Sequence, residues 1–446
     1  MTTDRPPFSH DRRAFLRGLG AGLLLPTSSA FAFGAEPKRP LRVAAVLTEF
    51  TYRSHAHVIL ENFLGPYLFN GRKTEPGMEV ASFYVDQFPK TDMARSVAKQ
   101  FKIPIYPTIG EALCLGGKEL AVDAVLSIGE HGQYPINAKG QREYPRKRFF
   151  DEIVAVFKAS GNVAPVFNDK HLSFRWDWAR EMVDTARELK IPLMAGSSVP
   201  LAQRRPAMEI PVGSEFPGAI AIHGGPVESY DFHGLELLQS LVESRLGGET
   251  GVASVQFLSG EALWQAAEAG LWSPKLADAA MAAELGPGKP TVRDLVKTPP
   301  FNRQPPHGIF LTYRDGFQAG VLKIGASGTR WNFAGLVVGE NEPRATSFYV
   351  GPWENRCLFK ALAHAIQAHF RDRLSPYPVE RTLLTTGLLD AAMDSRLQEG
   401  KLVETPHLAI AYRPTDFRTM REMGETWKIL RPETPQPEGL DTSGNS

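Results

Sequence analysis

Cysteine is nearly absent: Cys114 and Cys357 are the only two in 446 residues. A chain of this length with two thiols cannot be stapled by a disulfide framework, so its fold must rest on buried apolar cores. The sequence leaves open whether the two pair. Charge of one sign is also missing, with 50 basic against 49 acidic residues and a formal net charge of +1. No basic stripe and no polybasic patch occurs, which excludes nucleic acid and an anionic membrane surface as electrostatically driven partners. There is no internal repeat, and after the first apolar stretch no second one long enough to span a bilayer.

What is present begins with an address. Arg12-Arg13-Ala14-Phe15-Leu16-Arg17 precedes a glycine-containing apolar run at 18–25, and Ala30-Phe31-Ala32 supplies small residues for cleavage. The run is too short to anchor comfortably in a membrane. This pattern is similar to a twin-arginine signal, which exports proteins already folded. Residues 1–32 are therefore expected to be a signal peptide, with a mature start near Phe33. The translocase is then a transient partner, and the expected location is periplasmic or otherwise extracytoplasmic.

Roughly four hundred residues remain, enough for two substantial cores. From 41 to 200, apolar runs at 42–47, 80–85, 103–106, 122–128, 163–167 and 193–195 alternate with helical periodicity at 58–64, 93–101, 109–114, 150–157 and 173–189. That alternation predicts an α/β fold, a Rossmann-type doubly wound parallel sheet. From 201 to 430 the texture changes. Longer stretches at 219–223, 253–258, 308–313, 320–324 and 331–338 show period-two alternation, with helices at 233–246, 260–269 and 357–370. This predicts an α+β domain on a mostly antiparallel open sheet. Residues 431–446 are rich in Pro, Glu, Ser and Gly and are expected to be a disordered tail.

The strand at 163–167 runs into Asn168-Asp169-Lys170-His171 and then a helix that Ser173 can cap. Open α/β folds bind ligands at the carboxyl ends of strands, so these three ionisable residues face a cleft, unless they form an ordinary solvated loop. Two other strand ends carry polar sets: Glu49 with Arg53, His55 and His57, and Glu130 with His131. His233 joins them from the second half. Carboxylates, imidazoles and an ammonium in one cleft suit acid–base work, or a divalent cation held by nitrogen and oxygen. His55 and His57 are two apart on a helix and point in different directions, which argues against both being ligands.

Several motifs together carry a family likeness. Val166-Phe167-Asn168-Asp169-Lys170-His171-Leu172 falls where one family has an apolar strand ending in Glu-Lys-Pro-Leu. His233-Gly234-Leu235-Glu236 matches its His-x-x-Asp, Val122-Asp123-Ala124-Val125 its central strand, and 382–395 with Lys401-Leu402-Val403 its late helix and strand. On these residues the chain resembles the Gfo/Idh/MocA family, the glucose-fructose oxidoreductase and inositol dehydrogenase group. The resemblance implies a sugar, polyol or sugar derivative as substrate, NAD or NADP as cofactor, and a homo-oligomer formed through the second sheet. It makes Lys170, His233 and Asp169 the catalytic candidates, with Glu49, Arg53, Asp86, Glu130, His131 and Lys170 at the cofactor. One departure is large. The first strand should end in Gly-x-Gly-x-x-Gly, but this chain reads Leu47-Thr48-Glu49-Phe50-Thr51-Tyr52-Arg53-Ser54. Glu49 sets an anion beside a diphosphate, with Arg53 and Asp86 as partial compensation. Two other readings therefore stand beside the oxidoreductase: a lyase or hydrolase that is cofactor-independent or metal-dependent, using Glu130, Asp169 and His233, and a non-catalytic sugar-binding protein.

Overall fold

The computed structural model describes residues 39–438 and 440. The expected signal peptide lies outside them, as do 439 and 441–446. Strand β1 (Leu41–Leu47) explains the first architecture. Val43 to Leu47 are all fully buried, and an apolar run without polar alternation needs cover on both faces. A short hairpin, β2 (Tyr67–Phe69) with β3 (Arg72–Thr74), follows the first helix. Its turn, Asn70-Gly71, has positive φ at both residues and is the two-residue hairpin signal that the alternation pattern passes over. Strands β4 (Met78–Val85), β5 (Ile105–Tyr106), β6 (Ala124–Ile128), β7 (Val166–Asp169) and β8 (Leu193–Gly196) complete an all-parallel sheet in the order β5-β4-β1-β6-β7-β8. The order reverses between β1 and β6, which opens a crevice at the strands' carboxyl ends.

The second sheet uses β9 (Gln203–Arg205), β10 (Gly218–Gly224), β11 (Val252–Ser259), β12 (His307–Tyr313), β13 (Gln318–Lys323), β14 (Ser327–Leu336), β15 (Arg344–Tyr349) and β16 (Val403–Glu404). They lie in the order β16-β11-β12-β13-β10-β14-β15-β9, and the β10–β13 pairing is the one parallel contact. The fold class is thus the expected α/β Rossmann-type half followed by a mostly antiparallel sheet. Period-two alternation splits that sheet between two cores. Ala219, Ala221, Ile309, Leu311 and Val321 join the main core with helices Ser229–Val242 and Val379–Leu397. Ile220, Ile222, Phe310 and Leu322 face the other way, under Trp272 and helix Pro274–Leu285. Helix Pro274–Leu285 lies on that second face over β10, β14 and β15.

Three local expectations differ. The helix expected at 233–246 starts at Ser229, because Glu228 and Asp231 close a capping box around its first turn. Ser173 does not cap the next helix, Trp176–Glu188; its Oγ accepts from Arg175 N, 3.3 Å away, in the turn before it. The stretch from 431, read as disordered, is docked as far as 437. Trp353 Nε1 donates to Thr434 O (3.1 Å) and Arg356 Nη1 to Pro437 O (2.7 Å), so buried side chains find their acceptors in tail backbone. Cys114 and Cys357 are both buried and free. No described helix is long and apolar enough to cross a membrane.

Candidate active site

At the crevice a cavity of about 410 Å³ is lined by His55, Glu130, His131, Lys170, Glu228, Tyr230, His233 and Trp331, with Phe359 and Glu354 from the carboxyl-terminal part of the chain. The strand ends put the first four there. Glu130 and His131 follow β6, Lys170 follows β7, and His55 opens helix His55–Leu64 after β1. Helix Ser229–Val242 brings Tyr230 and His233 from the second half.

Glu130 is the electrostatic centre. Its Oε1 accepts from Lys170 Nζ at 2.9 Å, and its Oε2 pairs with Arg146. Burial alone pushes this carboxyl up, but Lys170 and Arg146 outweigh it and hold Glu130 well below the usual range. The imidazoles are pushed down too, which for them favours the neutral form. Burial, reinforced by the charges of Lys170 and His55, pushes His233 well below its ordinary value, and burial with His55 pushes His131 down to about 4. Both rings are neutral near pH 7. His233 Nδ1 lies 2.6 Å from Ser197 Oγ, and no described residue bonds Nε2. In the tautomer that donates Nδ1–H to Ser197, Nε2 presents a lone pair to the cavity.

Lys170 (φ +63°), His131 (φ +71°) and Glu228 (φ +69°) all hold positive φ, which side-chain-bearing residues avoid at a cost of about 1–3 kcal/mol each. With Glu354 (φ +53°), four such residues around one cavity mark a site whose geometry the surroundings impose. Buried polar atoms without partners point to the same place: Trp331 Nε1, His131 Nε2 and Glu228 Oε1, the last 3.4 Å from His171 Nε2 but outside hydrogen-bonding geometry. Tyr230 stacks on Trp331 with centroids 4.9 Å apart at 14°, an arrangement that depends on Gly225. A Cβ on Gly225 would lie 1.9 Å from the Tyr230 ring.

Of the expected catalytic residues, Lys170 and His233 line the cavity and Asp169 does not. Its Oδ2 lies 2.6 Å from His55 Nδ1, so Asp169 reaches the cavity only through that ring. His171 also turns inward, its Nδ1 on Ser173 O (2.8 Å). Arg146, Ser197, Tyr230 and Trp331 were not foreseen. A partial signal existed for Arg146, since Gly129 beside Glu130 leaves room for it; a Cβ there would lie 2.7 Å from Arg146 Cγ.

The expected cofactor residues do not fit a dinucleotide. Phe50, in the stretch that lacks the glycine fingerprint, is buried edge-on to Phe83. Glu49 Oε1 accepts from Thr51 Oγ1 (3.1 Å). In the helix's first turn His57 N is taken by Ser54 Oγ (3.4 Å), and in the turn before it Arg53 N is taken by His57 Nδ1 (2.8 Å). The Arg53 guanidinium is spent on Glu354 (2.6 Å) and Gln436 (3.1 Å). Asp86, the expected ribose ligand, accepts from Tyr84 OH (2.7 Å), Tyr134 OH (2.7 Å) and Arg148 Nη2 (2.5 Å). Gln87 and Gln133 exchange two further bonds, at 2.9 and 2.8 Å. The loop after β6 therefore reaches the end of β4 across the end of β1, where a diphosphate would run.

A metal fares no better at the expected histidines. The described residues hold one compact ligand-like set elsewhere, His223, Asp231 and His307, all buried. Asp231 Oδ1 lies 2.8 Å from each Nε2, and Oδ2 takes Glu228 N–H (2.7 Å). Gly225 N donates to His223 Nδ1 (3.3 Å), which leaves the ring hydrogen on Nε2, so this cluster is complete as a hydrogen-bonded anchor for the helix start.

No protein-family model and no curated protein sequence matches the chain. Among solved structures it is similar to GenD2 from gentamicin A biosynthesis in complex with NAD, at 11% identity and a TM-score of 0.51, covering 86% of this chain and 99% of that one. It is also similar to an oxidoreductase from Agrobacterium radiobacter in complex with NAD+, L-tartaric acid and magnesium, at 14% identity and a TM-score of 0.50, covering 82% of this chain and 98% of that one. At such identities the likeness establishes the shared fold, a doubly wound parallel sheet joined to a second, largely antiparallel one.

Proposed function

We propose that this chain is an exported acid–base enzyme acting on a sugar, polyol or sugar derivative, a divergent relative of the Gfo/Idh/MocA group that works without a dinucleotide. One observation carries the reading: Tyr134 and Gln133 occupy Asp86 and Gln87, while Lys170 and His233 stay on the cavity wall beside them. The seat is filled and the chemical end is kept. The step that suits these groups is an elimination. A C–H bond next to a carbonyl breaks, its proton passes to His233 Nε2, and the electron pair moves onto the carbonyl oxygen held by the Lys170 ammonium. As the carbonyl re-forms, the neighbouring hydroxyl leaves as water with the proton from His233. Glu130 keeps Lys170 in position, and Asp169 does the same for His55.

The test is proton NMR of polyhydroxy carbonyl compounds incubated with the natively exported protein in D2O. Exchange or elimination without added dinucleotide is expected, and its loss in His233→Gln. Turnover that strictly requires NAD or NADP would sink the reading. N-terminal sequencing of the mature protein checks export, with a start near Phe33 expected.

The second reading is an NAD(P)-dependent oxidoreductase of a sugar or polyol. The observation in its favour is that both similar structures are complexes with NAD. It needs the loop after β6 to leave Asp86, so a saturable rise in melting temperature with NAD or NADP supports it, and its absence favours the first reading.

A further inference from the structure

A second cavity of about 400 Å³ lies at the other end of helix Ser229–Val242, lined by Ser240, Leu241 and Glu243. It is separated from Tyr230 by about 16 Å of helix rise. Arg204 in β9 and Arg421 face it, only 8% and 2% exposed. One carboxylate serves both. Glu209 Oε2 accepts from Arg204 Nη1 at 3.0 Å and Arg421 Nη1 at 3.2 Å, and Oε1 pairs with Arg421 Nη2. Behind them the buried Arg381 pairs with Glu243, which also accepts from Tyr412 OH at 2.8 Å.

Three buried guanidiniums thus have Glu209 and Glu243 as their hydrogen-bonded carboxylates, with Asp416 on the cavity wall near Arg421 and buried Glu236 near Arg381 as the further acidic groups. Their hydrogen-bonding capacity is underused. Arg204 Nε, Arg421 Nε and Arg381 Nη1 are buried without a hydrogen-bond partner. Burial and the neighbouring Arg421 push Arg204 down to about 9, as expected for a guanidinium short of counter-charge. Glu209 differs from its partners. Its side chain is 47% exposed, and it comes from the loop after β9 rather than from a helix or strand. It is a tethered carboxylate sitting where two forks converge, and it shows by its own contacts what chemistry the place accepts.

We propose that this cavity binds a small free oxyanion between Arg204 and Arg421, a carboxylate or a phosphoryl group, with Glu209 as the internal group it displaces. The site is separate from the cleft and uses none of its residues.

The experiment is isothermal titration of the full chain, in a buffer free of other oxyanions, with inorganic phosphate and with acetate. Saturable binding of at least one is expected in the wild type. Glu209→Gln should tighten it about tenfold or more, the equivalent of one charge-assisted hydrogen bond no longer competed for. Glu209→Gln with Arg204→Gln should lose it, and because that pair of changes removes one charge of each sign and leaves the net charge as it was, circular dichroism should show an intact fold. Binding of phosphate alone assigns a phosphoryl ligand, and binding of acetate assigns a carboxylate. The proposal is overturned if neither anion binds to folded Glu209→Gln protein, or if binding survives in the double variant.

Discussion

Replacing Glu130 by glutamine keeps the shape of the side chain and removes the one charge between two cations. Lys170 Nζ at 2.9 Å has a Coulomb attraction to it of about 6 kcal/mol at an effective dielectric near 20. Desolvation of the buried groups offsets much of that. What matters is the state left behind, because in Glu130→Gln the Lys170 and Arg146 cations remain buried and an amide NH2 must face one of them. Removing one partner of a buried pair costs about 3–5 kcal/mol, and that is the loss expected in urea unfolding at pH 7. Lys170→Met should cost less, since Glu130 keeps Arg146, and the double variant should be less destabilised than the sum. The pH dependence has a definite sign. The Glu130 carboxyl is held well below its unfolded value of about 4.3, so its contribution is present above that value and is lost as pH falls through the lower folded one. The gap between wild type and Glu130→Gln should stay level from pH 8 to about 5 and close below. Additivity of the two substitutions within about 0.5 kcal/mol would refute the coupled triad.

His233→Gln should keep the fold and lower turnover by about 10²–10⁴-fold, the usual contribution of a general base. Because burial and Lys170 push His233 well below its ordinary value, the wild-type rate should be level from pH 8 to about 6.5 and fall only in more acid solution. A rate that already falls near pH 7.5 would contradict the neutral imidazole. Gly225→Ala forces a methyl into the Tyr230 ring, and overpacking of this kind costs about 1–3 kcal/mol. Near-ultraviolet circular dichroism should register the loss of the Tyr230–Trp331 stack. An unchanged spectrum and melting point would show that the stack does not depend on the glycine.

The parallel half was legible because its strands are short, apolar and bounded by turn residues. The helix Ile109–Cys114 agrees with the sequence pattern to the residue. Lys170 was legible for the same reason, since a strand's carboxyl end is fixed by local pattern alone. Asp86 was misread because its partners Tyr134 and Arg148 lie 48 and 62 residues away, and contacts at such separation leave no local trace. Helix Pro274–Leu285 escaped notice because it is rich in alanine and shows little contrast between its faces, yet it packs on β10, β14 and β15 of the second sheet. The Asn70-Gly71 hairpin is a different case. Its signal stood in the sequence and lost only to the expectation of uninterrupted α/β alternation.

The loop after β6 that reaches Asp86 also carries Glu130 and His131 of the cleft. Thr48 Oγ1, at the end of β1, donates to Glu130 O at 2.5 Å, and four residues after Glu130 the same segment ties Tyr134 to Asp86. His131, between them, is held at positive φ, a conformation that persists only where both flanks are fixed. Drawing Tyr134 off Asp86 would therefore release one flank of His131 and loosen the Glu130 backbone that sets Lys170. An arrangement that admits a diphosphate and one that presents Lys170 and His233 as found here are thus alternatives for the same segment. The proposed acid–base chemistry uses the cleft with Tyr134 on Asp86, whereas hydride transfer would require that contact to open.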